Sequence, residues 1–108
     1  MMKNILFVCS QNKLRSPTAE KVFSDNPNLK VASAGLDNDA VITLTPELVE
    51  WADLIFVMEK NHQNRLQKKF KKYLTKQRII CLNIPDEYDY MDPALIEILK
   101  TALPKYLI

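Results

Sequence analysis

Histidine, tryptophan and glycine each occur once in this chain of 108 residues, and cysteine only twice. That scarcity excludes several chemistries. Cys9 and Cys81 stand far apart in the sequence and do not resemble a disulfide framework. The lone His62 cannot complete a tetrahedral metal set with them, so no metal or other cofactor is expected. Long apolar runs are missing as well. The run Ile5 to Cys9 is far shorter than a secretory signal core, and nothing approaches the roughly 20 apolar residues of a membrane span. Neither sign of charge dominates: a net charge of +2 does not by itself call for a polyanion partner. With 47% hydrophobic residues the chain can bury a core without staples. The length predicts one domain over residues 1–108, while the sparse cysteines and short apolar runs lead us to expect a reducing, cytoplasmic compartment and no membrane partner.

What is present is an alternation of apolar runs and helical patterns. Ile5-Leu6-Phe7-Val8-Cys9 and Leu54-Ile55-Phe56-Val57-Met58 are continuous apolar runs, the mark of strands covered on both faces. Leu29 to Ala34, closed by Gly35, and Arg78 to Leu82 read as two further strands. Helices are expected after Ser16-Pro17, after Thr45-Pro46, from Lys60, and after Asp92-Pro93, three of them opened by a cap followed by proline. Leu36 to Thr43 reads as loop. The alternation predicts an α/β fold, with a four-stranded parallel sheet and helices on both faces. Ligands of such sheets sit at the carboxyl ends of the strands, where Cys9 falls.

The stretch Cys9-Ser10-Gln11-Asn12-Lys13-Leu14-Arg15-Ser16 fits C-x5-R-[ST] between a strand and a helix start. Five residues turning back on themselves can aim their backbone N–H groups at one point, and the positive end of the next helix adds to that field. Arg15 supplies a planar fork matched to two phosphate oxygens. The same field favours a thiolate nucleophile at Cys9. One loop from Ser10 to Ser16 thus holds both nucleophile and phosphate.

Phe7-Val8-Cys9, Asn12 and Arg15-Ser16-Pro17-Thr18-Ala19-Glu20 resemble the active-site signature of the low-molecular-weight protein tyrosine phosphatases. Ser33-Ala34-Gly35, Ala52 to Met58 and Ile84-Pro85-Asp86-Glu87-Tyr88 resemble further blocks of that family, in the same order. The resemblance implies a phosphatase I-like sheet in the order 2-1-3-4. It also implies metal-free hydrolysis of phosphate monoesters, phosphotyrosine foremost, through a phosphocysteine. Asn12 is implied to shape the loop and Ser16 to support the thiolate; a plain helix cap is the other reading of Ser16. The chain departs from the family in four places. The stretch between Gly35 and Asp53 is shorter than in the family, which carries an extra helix and a substrate-lining aromatic there. Gln11 replaces a usual glycine, Leu14 a frequent second cysteine, and Asp86 lacks the proline that follows the family's acid.

A general acid is needed for a phenolic leaving group. Asp86 matches the family position and Asp89 is the alternative, whereas Asp92 before Pro93 reads as a helix cap. Tyr88 is a candidate substrate-lining residue, with Tyr90 beside it. Trp51, Cys81 and His62 read as packing residues, and the basic stretch Arg65 to Arg78 as a solvated helix face. Two other functions fit the loop: an arsenate reductase-like enzyme, which needs a relay of nearby cysteines, and a module binding phosphoprotein or nucleic acid without turnover. No nucleic-acid motif accompanies the basic stretch, so the expected partners are a phosphorylated protein or a small phosphate ester.

Overall fold

The computed structural model describes residues 3–107. Strand and helix alternate without exception: β1 (Lys3–Cys9), α1 (Arg15–Phe23), β2 (Leu29–Gly35), α2 (Pro46–Trp51), β3 (Leu54–Val57), α3 (Lys60–Lys69), β4 (Arg78–Cys81) and α4 (Pro93–Ala102). The strands form one sheet in the order β2-β1-β3-β4, all parallel. Ile5 lies opposite Val31 on one side and Leu54 on the other, so β1 is covered along both edges. The chain steps from β1 to one side for β2 and to the other for β3. The crevice beyond Cys9 is therefore the switch point at which such sheets bind ligands.

Side chains alternate across the pleat, which splits the interior into two layers. Ile5, Phe7, Cys9, Phe56 and Ile80 face α1 and α4, where Ala19, Leu95, Leu99 and Leu103 cover them. Leu6, Val8, Ile55 and Val57 face α2 and α3 and meet Val49, Leu66 and Phe70. Phe7 stacks on Phe56 at 5.6 Å and on Phe23 at 6.0 Å, contacts that typically add about 0.5–1.5 kcal/mol beyond area burial. Trp51 packs partly buried against the second layer, in keeping with its reading as a packing residue.

Two helix starts follow the cap-and-proline rule. Thr45 accepts from the Leu48 amide ahead of Pro46, and Asp92 accepts from the Ala94 amide ahead of Pro93. The first helix does not. It begins at Arg15, two residues earlier than a Ser16 cap before Pro17 predicts, and Leu14 at its cap position makes no side-chain hydrogen bond. Pro17 still fits, because the first four amides of a helix have no partner within it. Freed from capping, the Ser16 hydroxyl is available elsewhere. The basic stretch Arg65 to Arg78 is not one helix face either: α3 stops at Lys69, and Lys71–Tyr73 continue as a 3-10 turn.

Candidate active site

Cys9 ends β1 with its side chain turned toward α1 and is 4% exposed. The next residues must turn sharply, and Asn12 does so in the left-handed region at φ 57°, a conformation that asparagine tolerates. The segment after β2 then fastens the loop from outside. The amides of Leu36, Asp37 and Val41 donate to the carbonyls of Cys9, Ser10 and Gln11 at 3.0, 2.9 and 3.0 Å. In a planar trans peptide the N–H points opposite the C=O, so the amides of Ser10, Gln11 and Asn12 point away from that segment. Gly35 makes the approach possible. A Cβ there would stand 2.6 Å from the Ser10 carbonyl oxygen and 3.0 Å from the Asn12 nitrogen. The stretch that reads as plain loop, Leu36 to Thr43, is thus a brace for the loop that follows Cys9, and Thr43 forms a bridge with Gly35.

Two hydrogen-bonding groups converge on the Cys9 sulfur. The Asn12 amide lies at 3.2 Å and the Ser16 hydroxyl at 2.9 Å. Ser16 Oγ accepts from Asn12 Nδ2 at 3.0 Å and keeps a hydroxyl proton that it can offer a thiolate. The other Asn12 Nδ2 hydrogen goes to Ser33 Oγ at 2.8 Å, and Ser33 donates to Glu20 Oε1 at 2.5 Å. Every member of this buried chain is satisfied, which is what makes such a network rigid. Ser16 therefore serves the sulfur and not the helix end.

Arg15 is 5% exposed, yet it opens onto the cleft. Its Nη1 donates to Glu59 Oε2 at 2.5 Å and to the Ile84 carbonyl at 2.7 Å, so one edge of the guanidinium is fixed. Its Nε lies 3.9 Å from Asp86 Oδ1, and Asp86 is 66% exposed at the mouth. Cys9, Ser10, Gln11, Lys13, Leu14 and Arg15 line a cleft of ≈ 290 Å³, completed by Asp37, Glu59 and Asp86. Asn12 and Ser16 stand buried behind it. Tyr88 packs half-buried against the α1–α4 layer, and among the described residues no aromatic side chain lines the cleft. Asp89 and Asp92 are not part of the lining either. The loop carrying Asp86 is tied to α1 where the Met91 amide donates to Thr18 Oγ1 at 2.9 Å.

Four contributors escape a reading of the sequence: Asp37, Glu59, His62 and Arg65. Glu59 and His62 form the capping box of α3, in which Glu59 accepts from the His62 amide and His62 Nδ1 from the Glu59 amide. That E-x-x-H spacing is the signal that could have revealed them. His62 is buried as expected of a packing residue, but both ring nitrogens are hydrogen-bonded, and Nε2 lies 3.0 Å from Ser10 Oγ. Burial and the nearby Arg15 charge push its pKa down from 6.5 to about 4, with Arg65 adding to the fall and Glu59 and Asp37 opposing it. Cys81 is only half-buried, because β4 is an edge strand, and its thiol donates to Asn83 Oδ1 at 3.3 Å. Among the described residues no group of three His, Cys, Asp or Glu could hold a metal, and no helix is long and apolar enough to cross a membrane.

Residues 4–50 match the profile of the low molecular weight phosphotyrosine protein phosphatases. The low molecular weight protein-tyrosine-phosphatase Ptp of Acinetobacter johnsonii is 32% identical over 118 residues, covering 82% of each chain. The chain belongs to that phosphatase family. Another relative is the protein-arginine-phosphatase of Bacillus subtilis, 30% identical over 100 residues that cover 68% of this chain and 67% of that one. The crystal structure of the tyrosine phosphatase amsI of Erwinia amylovora superposes with a TM-score of 0.77 at 27% identity, over 99% of this chain and 92% of that one. The sheet order 2-1-3-4 is the family's fold, and the chain is a phosphatase, a hydrolase of phosphate esters.

Proposed function

We propose that this phosphatase cleaves phosphotyrosine in protein substrates, with Cys9 as nucleophile, Arg15 as phosphate clamp and Asp86 as general acid. The observation that carries this reading is the shared cleft: Cys9, Arg15 and Asp86 all line one space. The amides of residues 10 to 15 and the uncapped start of α1 supply the remaining donors for phosphate oxygens. In the first step the Cys9 sulfur bonds to phosphorus as the bond to the leaving oxygen breaks, and Asp86 gives that oxygen a proton. In the second, water attacks the phosphocysteine, Asp86 takes the water's proton, and phosphate leaves with the thiolate restored. None of these steps needs a metal.

The arginine phosphatase relative favours a second substrate, phosphoarginine in protein. The carboxylates of Asp37, Glu59 and Asp86 around the cleft, and its lack of aromatic walls among the described residues, suit a guanidinium leaving group. An arsenate reductase relay is disfavoured, since Cys81 lies across the sheet from Cys9. The two free thiols fit a reducing cytoplasm. The test is turnover of an aryl phosphate and of phosphoarginine by the wild type, Cys9→Ser and Arg15→Ala, with a chelator present. Wild-type turnover of the aryl ester, lost in both variants, supports phosphotyrosine; turnover of phosphoarginine alone moves the substrate. Undiminished turnover by Cys9→Ser overturns the whole assignment.

A further inference from the structure

We propose that His62 is a positioning residue of the phosphate-binding loop, acting through a hydrogen bond from its Nε2–H to the hydroxyl of Ser10. The inference rests on the phosphatase reading of Cys9, but concerns how the loop is held.

The direction of the bond follows from the partners. A backbone amide can only donate, so His62 Nδ1, 3.1 Å from the Glu59 nitrogen, must be an acceptor without a proton. The ring proton of the neutral imidazole then resides on Nε2 and points at Ser10 Oγ, 3.0 Å away. Arg65 brings a second, longer donor to the same oxygen, with Nη1 at 3.4 Å, while its Nη2 pairs with Asp37 at 2.7 Å. The Asp37 amide closes the circuit by donating to the Ser10 carbonyl at 2.9 Å. Ser10 is thus gripped by its side chain from α3 and by its backbone from the segment after β2.

Ser10 matters because it is the first residue beyond the nucleophile. Its backbone direction sets where the following amides point. Glu59 caps α3, and His62 and Arg65 follow at three-residue intervals within it, His62 and Arg65 sharing one face of the helix. Through its cap residue Glu59 the start of α3 holds Arg15 at the end of the loop, and through His62 it holds Ser10 at the beginning. A histidine that merely fills space would leave one ring nitrogen without a specific partner in the site. Here each nitrogen has one, and removing either partner alters a different structure: the helix cap or the loop.

Two substitutions separate these roles. Asparagine can place an oxygen where Nδ1 stands, keeping the cap and losing the Ser10 bond. Glutamine can place an NH2 where Nε2 stands, keeping the Ser10 bond. The experiment is calorimetric titration with inorganic phosphate of the wild type, Ser10→Ala, His62→Asn, His62→Gln and the Ser10→Ala/His62→Asn double variant, with folding checked by circular dichroism. Loss of one such hydrogen bond should weaken phosphate binding about three- to tenfold in Ser10→Ala and in His62→Asn. The double variant should bind no more weakly than either single one, and His62→Gln should recover most of the affinity that His62→Asn loses. Unchanged affinity in Ser10→Ala, losses that multiply in the double variant, or His62→Gln as impaired as His62→Asn would each overturn the proposal. If His62→Asn fails to fold, Ser10→Ala and His62→Gln still decide it. Turnover of an aryl phosphate and of phosphoarginine measured alongside keeps the two ideas apart: a wild type inactive on both refutes the phosphatase reading, and phosphate affinity continues to test the role of His62.

Discussion

The side chains of Cys9 and Cys81 leave opposite faces of the sheet, with β3 standing between their strands. Val57 pairs with Val8 on one side and with Cys81 on the other, so Cys81 lies two strand spacings from β1. At about 4.8 Å per spacing, that exceeds the roughly 7 Å limit for bridging two cysteines. Leu14 occupies the loop position at which a nearer thiol could have stood. Peroxide should therefore inactivate the enzyme without forming a disulfide inside one chain, and oxidation should proceed along the sulfenic and sulfinic acids at Cys9. Peptide mapping under non-reducing conditions reads the outcome. A Cys9–Cys81 bond within a monomer would contradict the sheet register.

Gly35 is where a single methyl group should do most harm. An alanine Cβ would meet the Ser10 carbonyl and the Ala40 side chain, both at 2.6 Å. Backbone cannot yield cheaply, so Gly35→Ala should cost about 1–3 kcal/mol of stability and displace the loop. Urea denaturation and phosphate affinity should both register the change. A variant of wild-type stability and affinity would show that the loop is less constrained than its brace suggests.

Asp86 should reveal itself through leaving-group dependence. A positioned acid contributes typically about 10²–10⁴-fold, and chiefly for leaving groups that need the proton. Asp86→Asn should therefore slow an aryl phosphate with a poor phenol leaving group far more than one with a good one. Asp89→Asn, outside the cleft lining, should affect both substrates little. The reverse pattern would transfer the acid role to Asp89.

The parts of this protein that can be read from its sequence are the local ones. Continuous apolar runs announce β1 and β3, and the C-x5-R-S spacing announces the loop, because both are written within ten residues. The brace from Leu36 to Val41 could not be read this way. It acts through backbone amides, which any residue supplies, and it meets Ser10 and Gln11 only after the chain has crossed α1 and β2. Glu59, His62 and Arg65 reach the site from α3 in the same nonlocal manner. Ser16 was ambiguous for a different reason: a hydroxyl before proline signals a cap, and only the geometry of the loop directs it to Cys9. Strand order, which places Cys81 on an edge, follows from the family resemblance and not from apolar patterning.

His62 makes stability depend on pH in a definite direction. Its pKa falls from 6.5 to about 4 on folding, so between those values the unfolded chain holds a proton that the folded chain lacks. The contribution of the neutral ring is complete above pH 6.5 and is lost as pH falls toward 4. The full loss is on the order of 3 kcal/mol. Arg15 and Arg65 oppose the charge, while Glu59 and Asp37 favour it, and the buried position tips the balance. Urea midpoints measured across that range should fall more steeply for the wild type than for His62→Gln, which cannot titrate. Equal slopes would mean that His62 is not held neutral.

The central claim is that the Cys9 sulfur becomes bonded to phosphorus during turnover. Rapid mixing of the wild type with an aryl phosphate, acid quenching within the first turnover and mapping of the peptides test it directly. A phosphoryl group should appear on the peptide that contains Cys9, be absent from Cys9→Ala and accumulate further in Asp86→Asn when the leaving group is a good one. A phosphoryl group found on another residue, or steady turnover by Cys9→Ala, would contradict it.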